Sequence, residues 1–172
     1  MFVLSCGFCG CAKTPNLAKE SIDRNIPIKI IVLPFTGDVN SESRLTWNIF
    51  FDELAKNTKV GLVDRQEIHD DLIKSLGINH PESFGSIDFI DHPQGAQRRK
   101  KIQEMFNVEF LILGSYFHSL EEIQLNIQVL DLKKGEVVVN FTDRARVAKD
   151  NQNDSREELI QECLPKVMSI IK

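Results

Sequence analysis

Residues 28–35 read Ile-Lys-Ile-Ile-Val-Leu-Pro-Phe, a run of aliphatic side chains that a single lysine interrupts. Such a run is too apolar for a half-exposed strand and predicts a central strand covered on both faces. Pro34 cannot donate a hydrogen bond to a neighbouring strand, so we expect the strand to end there. This strand is the centre of the predicted fold.

Downstream, the pattern predicts a helix at 42–56, a short strand at 59–63 and a second helix at 64–76, with Asp64 placed to cap it. Strand, helix and strand joined by short loops form a right-handed βαβ unit, so the two strands should be parallel neighbours. In the first helix, apolar residues at helical spacing are expected to face the sheet. These are Leu45, Ile49, Phe50 and Leu54.

The second half begins with a predicted helix at 95–107 and a second continuous apolar strand at 110–116. Alternating apolar and polar residues over 123–141, with Gly135 at the turn, predict an antiparallel hairpin covered on one face. The residues expected to point inward from the 95–107 helix are Ala96, Ile102, Met105 and Phe106.

The last segment predicts a helix that starts at a capping box formed by Ser155 and Glu158. Pro165 should kink or divide this helix, because proline lacks the backbone N–H. Cys163 is expected to be a small buried residue of the same helix.

Together these elements predict an α/β fold resembling a three-layer sandwich, with a five-stranded mixed sheet flanked by helices. The first strand should lie between the 59–63 and 110–116 strands, and the hairpin should extend the sheet beyond the latter. The chain has 172 residues and 42% hydrophobic content, enough for one domain, which we place at 27–172.

The amino terminus is apolar and carries three of the four cysteines. Residues 1–11 are similar to the end of a bacterial lipoprotein signal, in which a cysteine after a small residue is cut and acylated. Cys11 is the favoured acylation site and Cys6 the alternative. No basic segment precedes the apolar one, so we read the signal as truncated, and whether Met1 is the true start stays open. Residues 12–26 then form a polar tether.

Two other interpretations of these cysteines stay open. A Cys-x-x-Cys-x-Cys spacing can hold a soft metal ion, although no fourth ligand lies nearby in sequence. The thiols can also belong to an apolar amino terminus without a function.

The loop after the first strand is the one candidate ligand crevice. It leads into a helix amino terminus, which in an open α/β sheet is where anions and nucleotides bind. Helix capping explains the same residues equally well. The candidate residues are Thr36, Gly37, Asp38, Asn40 and Ser41.

A candidate partner surface lies in the aperiodic segment 78–94 and the cations that follow it, because a long loop in a compact domain is usually functional or mobile. A solvated helix face explains the cations as well. The candidate residues are His80, Phe84, Phe89, His92, Arg98 and Arg99.

Three motifs resemble an envelope domain of several bacterial families: Leu33-Pro34-Phe35, Asp64-Arg65 and Leu113-Gly114-Ser115, in this order along the chain. The families are the curli-secretion lipoproteins, the related flagellar lipoproteins, the penicillin-binding-protein activator lipoproteins and the TolB amino-terminal domain. The resemblance implies a non-enzymatic domain that faces the periplasm from the outer membrane of a Gram-negative-type bacterium and binds other envelope proteins. The chain departs from the curli channel subunits, because it has no long alternating insert for barrel strands.

The sequence contains none of the common catalytic or nucleotide-binding motifs, so we expect no enzyme and no cofactor. A net charge of −4 gives no attraction to nucleic acid. The expected role is a lipid-anchored accessory or assembly factor that binds envelope proteins, with self-association left open. The alternative is a domain that binds a small molecule or nucleotide in the 36–41 loop.

Overall fold

The computed structural model describes residues 28–76, 85, 88–147 and 152–171, apart from the side chains of residues 73, 152 and 153. A mixed sheet of six strands lies between two layers of helices. The strands are β1 (Ile28–Val32), β2 (Thr36–Gly37), β3 (Val60–Leu62), β4 (Phe110–His118), β5 (Glu122–Asp131) and β6 (Glu136–Arg146). The helices are α1 (Asn40–Ala55), α2 (Arg65–Glu67), which continues through a π-helical stretch (Ile68–Leu72) into α3 (Ile73–Leu76), α4 (Gly95–Phe106) and α5 (Gln152–Met168).

The strand order β3-β1-β4-β5-β6 confirms the predicted position of the first strand. β1 is parallel to both neighbours, with Ile30 opposite Leu62 on one side and Phe110 on the other. β4, β5 and β6 are antiparallel and form the expected extension of the sheet. The three-layer α/β class is therefore confirmed.

The sixth strand, β2, was not predicted. β1 ends at Val32, and the backbone N–H of Leu33 still donates to Ile112 O at 3.0 Å. After Pro34 the chain returns to the same edge of β4, where Thr36 and Gly37 lie opposite Ser115 and Tyr116. The proline ends β1 as expected, because it has no N–H to give, but the chain does not leave the sheet.

Helices α1 and α5 cover one face of the sheet. The buried side of α1 consists of Ser43, Thr46, Trp47, Phe50 and Leu54. The predicted inward position of Leu45 is wrong, since this side chain is 41% exposed. The buried side of α1 is rotated from the predicted one towards Trp47, because the Trp47 indole N–H points to the sheet and donates to Val32 O at 3.2 Å.

The opposite face is covered by α4 and by the helical segment from α2 to α3. Ile68, Leu72, Ile102 and Phe106 pack there against β1 and β4. The predicted inward positions of Ala96 and Met105 are wrong, because both side chains are exposed. The buried residues of α4 are Gly95, Ile102 and Phe106. Gly95 packs against the backbone of Phe89, where a Cβ atom would collide with the carbonyl group.

Helix α5 differs from its prediction at the start. The helix already includes Gln152, so Ser155 lies inside it and is buried rather than acting as its cap. α5 also continues through Pro165 to Met168 as one element, so it is not divided there. The hairpin turn agrees with the prediction, with Gly135 at a φ of 73°.

Candidate functional site

The predicted crevice residues lie at the carboxyl end of the sheet, where β1 and β4 end and α1 begins. Thr36 and Gly37 form β2 and are half-buried against β4. Asp38, Asn40 and Ser41 are exposed. The structure therefore brings the predicted residues together, but two of them belong to the sheet.

The space between this loop and the sheet is filled. A Cβ atom on Gly37 would lie 2.9 Å from Ser43 Cβ and closer still to the carbonyl oxygen of Tyr116. On the next layer inward, the Phe35 ring covers Gly114, whose Cβ position is 2.8 Å from Phe35 Cγ. Backbone at this separation leaves no room for a ligand between the loop and β4.

The start of α1 is also not capped as predicted. The N-cap residue is Val39, which has no side-chain hydrogen bond to the helix, rather than Asn40 or Ser41. Ser43 Oγ instead donates to the carbonyls of Val39 and Asn40, each at 3.2 Å. The loop is thus fixed to the first turn from inside the helix.

A buried arginine lies beneath the first turn of α1. Arg156, which is 1% exposed, pairs with Glu42. Its Nη2 lies 3.4 Å from Tyr116 Oη, and its guanidinium carbon is 5.4 Å from the centre of the Tyr116 ring. The Glu42 carboxylate lies in the first turn of α1, where the positive end of the helix dipole stabilises it. The group joins α1, β4 and α5.

Sequence reasoning missed Arg156, although a signal was present. Arg156 precedes Ile160, Cys163 and Val167 at helical spacing, and all three are buried. An arginine within the apolar stripe of a helix indicates a buried ion pair.

The outer side of the carboxyl end carries exposed apolar residues. Val39 is 42% exposed, Phe117 47% and Leu120 96%. Asp38 and Glu121 flank them in sequence and are exposed. We call these five residues the carboxyl-end surface. The geometry suits contact with another macromolecule better than enclosure of a small one.

The second predicted surface is mostly used within the fold. Arg98 Nη1 donates to the Asp88 carbonyl at 3.2 Å and lies 3.7 Å from the Asp88 carboxylate, while Arg99 Nη1 donates to the Phe89 carbonyl. Phe89 has no exposed surface, so its predicted role as a surface contact is wrong. Its ring belongs to the apolar cluster that also contains Ile102 and Phe106 of α4. Among the members of this set that the structure describes, only His92 is well exposed, and it accepts a hydrogen bond from the backbone of Gln94 at 3.1 Å.

His80, Phe84, Cys6 and Cys11 lie outside the described residues. The partner-surface role of His80 and Phe84 and the acylation of Cys11 or Cys6 stay predictions.

The fourth cysteine, Cys163, is buried, as expected, and donates to Asp143 Oδ2 at 3.3 Å. Burial, followed by the neighbouring Asp143 carboxylate, raises the pKa of the Cys163 thiol. Lys166 pairs with Asp143 at 2.6 Å, and this hydrogen bond raises the pKa of Lys166. A thiol held protonated in this way is a poor nucleophile.

In the described part of the chain, no group of three or more histidine, cysteine, aspartate or glutamate residues is arranged to hold a metal ion. His69 and Asp70 are in contact at 3.3 Å on the helix surface. Hydrogen bonds from Gln66 first and then from His69 lower the pKa of Asp70.

Across the described ranges, no helix has the length and apolar character needed to cross a bilayer.

No family model matches the sequence, and no curated protein matches it. Solved structures do share the fold. The protein CT253 from Chlamydia trachomatis has a TM-score of 0.56 at 11% identity, over 84% of this chain and 98% of that one. Lipoprotein GNA1162 from Neisseria meningitidis has a TM-score of 0.55 at 9% identity, over 83% and 97%. The PelC dodecamer from Paraburkholderia phytofirmans has a TM-score of 0.50 at 11% identity, over 80% and 86%.

The fold is like that of a bacterial envelope lipoprotein. At these identities the likeness concerns the fold alone. The finer resemblance to the curli-secretion and TolB families stays a prediction.

Proposed function

We propose that this chain is a non-enzymatic, lipid-anchored protein of the bacterial envelope that binds another envelope protein as an accessory or assembly factor. The observation that carries the proposal is the carboxyl end of the sheet. The backbone of Tyr116 and the side chain of Ser43 lie against Gly37 in the predicted crevice, while Val39, Phe117 and Leu120 are exposed outside it. Such a surface suits a protein partner.

The proposed location is the periplasmic side of the outer membrane, with acylation at Cys11 or, alternatively, at Cys6. The lipoprotein-like amino-terminal sequence supports it, and so does the fold shared with lipoprotein GNA1162. Self-association is part of the proposal, because PelC, which shares the fold, forms a dodecamer.

The topology separates the anchor from the carboxyl-end surface. Ile28 begins β1 at the amino end of the sheet, where its N–H donates to Lys59 O at 3.2 Å. β4 runs parallel to β1, and its nine residues reach the opposite end, about 30 Å away at about 3.3 Å per residue. The residues before Ile28 therefore enter the domain at the end of the sheet opposite the carboxyl-end surface.

Acylation is tested with the full open reading frame, including the DNA upstream of Met1, expressed in a Gram-negative host that is fed labelled palmitate. We expect label on the wild-type chain, loss of label in Cys11→Ser and retention in Cys6→Ser, or the reverse pattern if Cys6 is modified. Absence of label from all three chains, together with a rise in melting temperature on addition of a nucleotide, would contradict the proposal and favour the 36–41 crevice.

A further inference from the structure

We propose that the outer edge of β6 binds an extended segment of another protein as an added strand, with acidic side chains of that segment beside Arg144 and Arg146. The inference rests on the proposed function and adds the class of partner segment. It follows from the backbone of this edge, from its regularity and from its charge.

The strand β6 lies at one edge of the sheet. Its 11 residues pair with β5 on one side, and within the described part of the chain no strand pairs with its other side. The opposite edge strand, β3, has only 3 residues. A row of unpaired backbone N–H and C=O groups is a template for a further strand. β6 is long enough to act as such a template, and β3 is not.

The hydrogen bonds at the β4–β5 turn show which backbone groups of β6 point outward. The Val147 N–H donates to Glu121 O at 2.9 Å, so position 147 turns its backbone towards β5. The Ser119 N–H donates to Glu122 O at 2.8 Å, which fixes the turn and agrees with this phase. Because the direction alternates along an antiparallel pair, the residues that turn both groups to the outer edge are those at positions 140, 142, 144 and 146. All four are exposed.

This part of β6 is regular. Edge strands are commonly protected by proline, by a bulge or by a charge that faces inward. β6 contains no proline, and its register with β5 shifts at Val138, before the stretch 140–146. Asp143 faces α5, but Lys166 pairs with it at 2.6 Å. None of these three devices therefore blocks the outer edge between positions 140 and 146.

The charges on the side of β6 that faces away from α5 select the partner. Arg144 and Arg146 lie on this side, and the carboxylate near them is that of Glu122. Glu122 contacts Arg144 at 3.5 Å, while Arg146 is exposed and has no ion-pair partner among the described residues. Two guanidinium groups that share one carboxylate attract an acidic strand and repel a cationic one.

The other side of β6 asks for apolar side chains, because Phe141 and Ala145 are partly buried there against the core. A segment that alternates apolar and acidic residues fits both sides. A second copy of β6 does not fit, since its Asp143 is paired with Lys166 and its Glu136 contacts Lys134 at 3.6 Å. The occupant is therefore a segment of another protein.

The test uses the purified full chain and two fluorescein-labelled peptides of about eight residues, an ordinary strand length. One peptide alternates valine with glutamate, and the other alternates valine with lysine. Binding is followed by fluorescence anisotropy at about 50 mM and about 500 mM salt, which changes the screening of exposed charges. Circular dichroism of each variant checks that it is folded.

We expect the glutamate peptide to bind at least about tenfold more tightly than the lysine peptide at the lower salt concentration. The net charge of the chain is −4, so a non-specific attraction would give the opposite order. Arg146→Gln should weaken binding of the glutamate peptide about tenfold. The matched control is Lys133→Gln, which removes the same charge from an exposed position of the hairpin turn and should leave binding unchanged.

Backbone pairing is tested with two methylated forms of the glutamate peptide, one methylated on the valine amide nitrogens and one on the glutamate amide nitrogens. Because an added strand turns alternate N–H groups towards β6, one form should lose binding and the other should keep it. Thr142→Pro should weaken binding in a folded chain, because it removes an outward N–H and no hydrogen bond to β5.

Equal binding of the glutamate and lysine peptides would overturn the inference. So would binding that Arg146→Gln leaves intact, or equal effects of the two methylation patterns. Arg146-dependent binding to vesicles of phosphatidylethanolamine and phosphatidylglycerol, or a dimer in sedimentation that Thr142→Pro abolishes, would also overturn it, because either assigns the edge to a different occupant. These results do not bear on acylation, so failure here is separate from failure of the proposed envelope role.

Discussion

The carboxyl end of the sheet and the amino-terminal part of α4 were both candidate sites, and they use their charged and apolar residues in opposite ways. At α4, Arg98 and Arg99 turn inward to the carbonyls of Asp88 and Phe89, and the aromatic ring is buried. At the carboxyl end, the interior is occupied by Arg156 with Glu42, and the apolar residues face solvent.

The difference shows that a cluster of cations in sequence is weak evidence for a partner surface. Arginine donors are readily used by nearby backbone carbonyls, which would otherwise lack hydrogen bonds. An exposed leucine on a fixed turn has no such internal use. The apolar end is therefore the stronger candidate for binding, and the following changes test the contrast.

The largest expected effect is at Arg156. Arg156→Ala removes a buried guanidinium together with its contacts to Glu42 and Tyr116, so the free energy of unfolding should fall by about 3–5 kcal/mol. The matched control is Arg144→Ala, which breaks the exposed pair with Glu122 and should cost less than about 1 kcal/mol. Urea denaturation of both variants measures the difference. Equal losses would show that the carboxyl end is not held together by the buried pair.

A smaller effect is expected at Gly37. Gly37→Ala places a Cβ against the backbone of Tyr116, so the free energy of unfolding should fall by about 1–3 kcal/mol. Gly85→Ala is the control, since nothing lies within 4 Å of its Cβ position. The two melting temperatures report the outcome. A Gly37→Ala chain as stable as Gly85→Ala would mean that the loop lies off the sheet and that the crevice is open.

A change at Arg99 tests the amino-terminal part of α4, the second region in this comparison. Arg99→Ala removes the hydrogen bond to the Phe89 carbonyl and should lower the free energy of unfolding by about 1–2 kcal/mol. Lys100→Ala, next in sequence and highly exposed, should change it by less than about 0.5 kcal/mol. Chemical denaturation again gives both values. If neither change affects stability, Arg99 is available to a partner and the contrast fails.

The last expected effect is a pH dependence. Because burial raises the pKa of Cys163, the folded thiol stays protonated while the unfolded thiol ionises above about pH 8.5. The folded state then binds more protons, so the free energy of unfolding should fall with rising pH, by at most about 1.4 kcal/mol per pH unit. Between about pH 8 and 9.5, below the ordinary pKa of lysine, this slope should be absent from Cys163→Ala. Parallel slopes for the two chains would contradict a buried thiol.

Much of the fold could be predicted from the sequence, because the pattern of apolar residues in each strand indicates its place in the sheet. The continuous runs at β1 and β4 identified the central strands, and the alternation in β5 and β6 identified the hairpin. The three motifs of the resemblance are positions where packing restricts the residue. Phe35 covers Gly114, and the Asp64 carboxylate accepts from the Gln66 N–H at 2.7 Å.

The errors came from interactions that a one-dimensional pattern does not contain. The inward position predicted for Leu45 is taken by Trp47, whose indole N–H donates to Val32 O and turns that side of α1 towards the sheet. β2 was read as a loop because two residues are too few to show a period, although they pair with Ser115 and Tyr116. Arg156 was missed because its partners, Glu42 and Tyr116, are distant in sequence.

The most direct test of the account is site-specific photocrosslinking of the full chain in a Gram-negative host. A photoreactive amino acid is placed at position 120, on the carboxyl-end surface, or at position 133, an exposed site in the hairpin turn at the amino end of the sheet. The account predicts a discrete protein adduct from position 120 that Phe117→Ser abolishes, and none from position 133. An adduct from position 133 alone, or from neither position, would contradict it.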